Sequence, residues 1–381
     1  MPSIISILLF ALLLVNVYVC HKCEITLASL NVHFSILFFR LAYFAVFMSF
    51  LASIYYQGVL LKYEIVNTIT SVLLGIYLCM FMTSLILFAF FDAAFLISRI
   101  LPGHWGVRQL LSMLYASGFS VLIISLLVSV YGLWNAQRIV LKEYDVTINK
   151  VANVRGVRIA VISDVHLGTS IKEKQLADIV YMVNELSPDL VCITGDLFDH
   201  GTTEGQVAFA HSELSKLNSR LGTYFVFGNH ERYLSDLTTI AAGLRASGVK
   251  TLADEVVLME EDGFYLVGRK DHSYTGRKNT DSLIAELDKN KPIILLDHQP
   301  NDIYSAVGSG VSLQISGHTH SGQVFPFNVL VRLFNGLFYG YYRIGDYQAI
   351  VTSGAGVWRF PIRTSNKNEI ALVNVHFDAA E

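Results

Sequence analysis

Near the C-terminal end stands SGHTHSGQVFP, in which His318 and His320 lie two residues apart between small residues. Taken alone, the stretch reads equally as a polar surface loop or as a pair of metal-binding imidazoles. Four other stretches carry the same residue types. SDVHLG holds Asp164 and His166, GDLFD holds Asp196 and Asp199, GNHE holds Asn229 and His230, and DHQP holds Asp297 and His298. Carboxylates and imidazoles without thiolates suit Mn, Fe, Zn, Ni or Co rather than a structural zinc–thiolate centre. Alternate side chains of an extended segment share a face, so Asp164 and His166 can address one ion together. The same spacing at His318 and His320, in a turn, can serve two neighbouring ions.

Each stretch needs an element to aim it. VRIAVISD (Val157–Asp164), DLVCITGD (Asp189–Asp196), GTYFVFGN (Gly222–Asn229), KPIILLDH (Lys291–His298) and VSLQISGH (Val311–His318) are short apolar runs that read as strands. QLADIVYMVNEL (Gln175–Leu186) has helical periodicity. Strands alternating with helices imply βαβ units and sheets covered on both faces. Open α/β sheets bind ligands beyond the carboxyl ends of their strands, and all five stretches fall there. Each has an ordinary reading by itself: D-x-H is usually surface polar, GD follows many strands, and GNHE can be a turn with a helix N-cap. Five in order, each after a strand, point to one shared site.

The ordered set SDVHLG, GDLFD, GNHE, DHQP, GHTHSGQ resembles the calcineurin-like metallophosphoesterase superfamily over most of residues 155–376. The tail, with GQVFP, FYGYYRIGDYQAIVTSGAGVWRFPIR and NEIALVNV, is similar to a membrane-attached bacterial branch and to animal transmembrane proteins that carry a metallophosphoesterase domain. Some relatives cleave UDP-diacylglucosamine in lipid A synthesis. The resemblance implies a two-sheet α/β sandwich, two divalent transition-metal ions (Mn, Fe or Zn) and hydrolysis of a phosphodiester or pyrophosphate. One ion would take Asp164, His166, Asp196 and His320. The other would take Asp196, Asn229, His298 and His318, with Asp196 bridging. His230 matches the catalytic histidine of the family, and Asp199 would support a ligand or loop from behind. Two positions depart from the family pattern: Asp297 replaces a small residue and either adjusts the charge at the metals or, the preferred reading, points away from them, and Ser321 stands where the related branch has glycine.

The remainder of the chain is of another kind. Its 381 residues are 53% hydrophobic and only 15% charged, with a mean hydropathy of +0.47. Soluble domains carry about 25% charged residues, so part of the chain is expected in a bilayer. Apolar blocks at Ile4–Val19, Ser35–Tyr56, Thr70–Ile97 and Leu110–Trp134 predict about four membrane helices. The first block has no Lys or Arg in MPSIIS and no small-residue cleavage site in VNVYVC, and is expected to be retained. The boundary is set at a membrane domain 1–136 and a catalytic domain 137–381. Basic residues in the loops are near a tie, while Lys150, Arg155 and Arg158 favour a cytoplasmic catalytic domain. The net charge of −3 and a pI near 6.5 speak against a nucleic-acid partner. Cys20 and Cys23 in CHKC lack two further ligands nearby, and Cys192 reads as a small buried residue.

A connector of about 20 residues after the last apolar block keeps the site near the bilayer. The expected partners are therefore the lipid bilayer and a phosphorylated, lipid-linked substrate. The alternatives are a general or nucleotide phosphodiesterase with the helices as anchor, and a non-catalytic metal-binding membrane sensor. Phe325–Tyr342, rich in aromatics, reads either as an interfacial amphipathic element or as sheet packing. Arg232, Arg343, Arg359 and Arg363 read as phosphate binders or surface charge, and the role of Asp92 inside an apolar block is open.

Overall fold

The computed structural model describes residues 4–31, 35–55, 64–100, 109, 118–168, 170–234, 236–334 and 336–379. They form two compact units, Met1–Trp134 and Asn135–Glu381.

The first unit holds helices α1 (Ile4–Ser29), α2 (Ile36–Tyr55) and α3 (Glu64–Ile100), followed by α4 (Phe119–Asn135) at its end. No proline interrupts them. Their surfaces are apolar around the whole circumference: Ile7, Leu8, Leu9 and Phe10, consecutive in α1, are all exposed, as expected of a helix solvated by lipid. Among the described residues three helices are long and apolar enough to cross a membrane, Ser6–Ser29, Ile36–Ser53 and Ile65–Ile100. The fourth block is helical from Phe119 in α4, and the part of it before Gly118, residues 110–117, lies outside the described residues. Several polar residues among those described are paired. Asp92 accepts hydrogen bonds from Lys22 Nζ and Tyr18 Oη, both at 2.7 Å, and Asn16 Oδ1 accepts from Tyr77 Oη at 2.8 Å. Asp92 is thus a contact between α1 and α3, the usual condition for a charge within an apolar helix.

The second unit is a two-sheet α/β sandwich. In chain order it contains β1 (Ile139–Ala152), β2 (Gly156–Ile162), α5 (Glu173–Glu185), β3 (Leu190–Ile193), α6 (Glu204–Leu214), β4 (Thr223–Val226), α7 (Leu237–Ala246), β5 (Val249–Leu252), β6 (Glu255–Met259) and β7 (Phe264–Gly268). Then come α8 (Thr280–Ile284), β8 (Ile293–Leu296), α9 (Ile303–Ser309), β9 (Leu313–Ser316), α10 (Phe327–Phe334), β10 (Gly340–Ile344), β11 (Tyr347–Val351) and β12 (Asn368–Ala379). One sheet has the order β1-β12-β2-β3-β4-β5 and the other β10-β11-β9-β8-β7-β6. β2 to β5 run parallel, as do β7, β8, β9 and β11.

Alternation along each strand builds three apolar layers. Ile159, Val161, Leu190, Cys192, Ile294, Leu296, Leu313 and Ile315 meet between the sheets. Their neighbours Ala160, Ile162, Val191 and Ile193 face α5, α6 and α7, and Ile293 and Leu295 face α8 and α9. A strand buried on both faces is apolar at every position, which is why these runs were legible. Cys192 sits in the layer between the sheets, and burial pushes its thiol far above the ordinary range.

One expectation is corrected. Much of the connector after the last apolar block is a strand, β1, paired in parallel with β12 from Ile139↔Asn368 to Ala152↔Ala379. In IVLKEYDVTINKVA only Tyr144, Val146, Ile148 and Ala152 are buried, while Glu143, Asp145 and Thr147 face out. An edge strand with one wet face carries the charges of a linker.

Candidate metal centre

The five stretches stand at the carboxyl ends of strands from both sheets, and the sandwich brings these ends together. The turns that follow are unusual. Asp164, His166, Asp196, His318 and His320 all have positive φ, between 48° and 70°, a conformation costing roughly 1–2 kcal/mol for each non-glycine residue. Hydrogen bonds to the two carboxylates hold it. His318 N donates to both carboxylate oxygens of Asp164 at 3.0 Å, and His230 N donates to Asp196 Oδ1 at 2.8 Å. Ser163 Oγ adds a bond to Asp164 Oδ2 at 2.6 Å. Gly317 is required by this crowding: a Cβ there would lie 2.2 Å from Asp164 Oδ2.

Around these turns, ligand atoms gather in three sets, each within 4.8 Å: Asp164 with His166 and His320, Asp196 with His298 and His318, and His166 again with Asp199 and His230. Asp196 stands between the first two, its Oδ2 3.7 Å from His166 Nε2 and 3.2 Å from His298 Nε2. His320 Nε2 is 2.9 Å from His166 Nε2 and 3.6 Å from Asp164 Oδ1. Asn229 Oδ1 is 3.1 Å from His298 Nε2, and His298 Nδ1 lies 2.8 Å from Thr194 O, the carbonyl that orients its ring. All seven candidate ligands and His230 therefore share one site. Asp297 does not enter it. Its buried carboxylate accepts from Arg269 Nη1 at 3.0 Å and from Arg277 Nη1 and Nη2 at 3.0 and 2.8 Å.

The electrostatics are those of crowded, desolvated groups. Burial pulls His318 down to about 4, with His298 adding to it, and burial and His166 hold His320 well below its ordinary value. Burial opposes ionisation of Asp196, but the neighbouring His298 outweighs it and keeps the carboxyl low. His230 is raised: burial works against its charge, and the 2.8 Å bond between its Nδ1 and Asp199 Oδ1, with Asp196 nearby, overcomes that.

Three supporting residues were not legible as such. Glu231, fully buried, accepts from Asp196 N at 3.1 Å, Phe198 N at 3.2 Å and Gly228 N at 2.7 Å. It staples the GDLF turn to the GNH turn, and burial followed by Asp196 pushes it up to about 7. Glu231→Ala is expected to destabilise the unit by about 2–4 kcal/mol, because three buried N–H groups lose their acceptor. Thermal unfolding checks this, and an unchanged midpoint would remove the staple role. Arg363 is not surface charge. It is fully buried, donating to Ser353 O, Gly356 O and Lys367 O, with Nη2 3.4 Å from His320 Nδ1. Gln323 Nε2 donates to the carbonyls of Trp358, Phe360 and Ile362, holding that loop so that Trp358 stands 5.9 Å from the His230 ring.

The donor set fits divalent ions. Asp164 and Asp196 are buried carboxylates with no Lys or Arg bonded to them among the described residues, and imidazole nitrogens converge on them. Buried anions of this kind are costly unless a cation neutralises them, and neutral imidazole with carboxylate is a first-row transition-metal environment.

Comparison with known proteins agrees with this geometry. A family model described as calcineurin-like phosphoesterase matches residues 157–322. A transmembrane protein with metallophosphoesterase domain from Danio rerio is 34% identical over 268 residues, covering 66% of this chain and 61% of that protein. An uncharacterised metallophosphoesterase of Helicobacter pylori is 34% identical over 241 residues, 62% of this chain and 63% of its own. One from Bacillus subtilis is 30% identical over 232 residues, 57% of this chain and 78% of its own. The chain spans about three fifths of the length of the first two relatives. It belongs to the calcineurin-like metallophosphoesterases: a membrane protein whose second unit carries the metallophosphoesterase domain.

Proposed function

We propose that the protein hydrolyses phosphodiester or pyrophosphate bonds of a lipid-linked substrate at the bilayer surface. The observation that carries the hydrolytic reading is the convergence of two donor groups on Asp196. Asp164, His166, Asp196 and His320 would hold one divalent ion, and Asp196, Asn229, His298 and His318 the other. Two such ions, when bound, polarise a phosphoryl group and lower the pKa of water. Asn229, being neutral, leaves the centre more positive than a carboxylate would. His230, oriented through Nδ1 by Asp199, offers its other ring nitrogen to the phosphoryl oxygens or the leaving oxygen. The lipid-linked part of the reading rests on the tether. Only residues 136–138 separate α4 from β1, and so short a link spans about 14 Å at most.

The test uses the full chain in detergent with bis-p-nitrophenyl phosphate. Turnover should require Mn²⁺ or another divalent transition metal, vanish with EDTA and return on re-addition. A protein that holds metal yet cleaves neither this ester nor any pyrophosphate would overturn the hydrolytic reading. A lipid-linked diphosphate is expected to exceed its soluble headgroup analogue in kcat/KM by about 10²-fold, as remote binding energy is spent on the reacting centre. Equal values would favour the second reading, a soluble phosphodiester substrate with the helices as anchor.

A further inference from the structure

Helix α10 is folded inside out by the standards of a water-exposed surface. None of its eight residues is buried. Phe327, Asn328 and Val331 are half-buried, one face of the helix turned to the protein. The other face carries Val329, Leu330, Leu333 and Phe334, all exposed, with Leu333 at 73% and Phe334 at 83%. Phe325, just before the helix, is exposed as well. Arg332 is the helix's only charge. A helix on a soluble domain turns such a stripe inward. The aromatic-rich segment is therefore not ordinary core packing at this point, since α10 contributes nothing buried.

The helix is also fixed to the metal-site turn. Asn328 packs on Gly322, where a Cβ would lie 2.2 Å from Asn328 Cα and where φ is +68°. Thr319 Oγ1 donates to Phe338 O at 2.7 Å beyond the helix, and Phe325 N donates to Thr364 Oγ1 at 2.9 Å before it. Thr319 stands between His318 and His320. The apolar face is thus held rigidly beside two candidate ligands.

We infer that α10 and Phe325 form an interfacial contact that lies in the headgroup region of the bilayer to which the chain is anchored. The occupant is specified by the chain itself. Helices long enough to cross a membrane precede the domain, and three residues link α4 to β1, so a lipid surface is always within reach. A short amphipathic helix with large apolar residues on one side and an arginine free to extend toward phosphates is the form that lies in such an interface. The contact sets the depth and orientation of the metal-site mouth relative to the lipid.

The test reads immersion and not turnover, so it stands or falls separately from the hydrolytic reading. Leu333→Cys and, as a control, Tyr304→Cys on α9, where Tyr304 is 92% exposed, are spin-labelled in the full chain and reconstituted into vesicles of phosphatidylcholine and phosphatidylglycerol. Signal from the native cysteines is taken from the unsubstituted chain and subtracted. Power saturation compares collision with oxygen, which enters lipid, and with a nickel chelate, which stays in water. The label at position 333 should favour oxygen several-fold over the label at 304. Equal nickel accessibility at both positions would overturn the proposal. So would exclusion of both reagents with spin–spin broadening, the signature of a second copy of the chain covering the face.

Discussion

Replacing Asp196 with alanine is expected to empty both metal positions at once and to lower turnover by at least about 10⁴-fold, roughly 5.4 kcal/mol of barrier. The expectation follows from where the carboxylate stands. Its Oδ2 faces His166 of one donor group and His298 of the other, while its Oδ1 fixes the backbone of His230. Without it the ion at His298 and His318 would have no carboxylate ligand, and the ion at His166 and His320 would keep Asp164 alone. Asp196→Asn separates geometry from charge. The amide retains an oxygen for His230 N but removes the anion, and it should lose metal while unfolding near the parent temperature. Elemental analysis of the full chain decides the matter: two ions retained per chain in Asp196→Ala would sink the bridging assignment even if activity were gone.

What could be read from the sequence, and what could not, divides along a physical line. The ends of β2, β3, β4, β8 and β9 were legible because a strand buried on both faces is a short apolar run, and the first polar residues after it mark where it leaves the core. β1 was not legible, because an edge strand half in water looks like a charged linker. The supports behind the site were invisible for a different reason. Glu231 is a buried carboxylate only because Asp196 and Phe198, 35 and 33 residues earlier, bring their N–H groups to it. Asp297 is held by Arg269 and Arg277, 28 and 20 residues before it. Such groups have no local pattern: their neighbours are assembled by the sheet order, and read singly each looks like surface charge. Arg363, taken from the sequence for a phosphate binder or surface charge, is the same case. Its partners are carbonyls of its own loop and the ring of His320.

His230→Ala tests the one role that geometry alone leaves contested. His230 belongs to a set with His166 and Asp199 whose ligand atoms are close enough to hold an ion, so it could be read as a ligand. Its environment argues for a proton donor instead. Nδ1 is engaged by Asp199 at 2.8 Å, its ring stands edge-on to His166 at 4.6 Å, and it is half-buried beside Trp358. The substitution should lower kcat by about 10²–10⁴-fold, the usual contribution of a positioned acid, with two ions per chain retained and KM little changed. Asp199→Asn gives an independent sign. The anion raises the imidazole pKa, so its removal lowers that pKa, and the protonated form is lost at lower pH. The alkaline limb of the kcat profile should therefore move to lower pH. A ligand role makes the opposite demand on metal content: if His230→Ala loses an ion along with its activity, the histidine holds metal, and the proton must come from another group at the mouth.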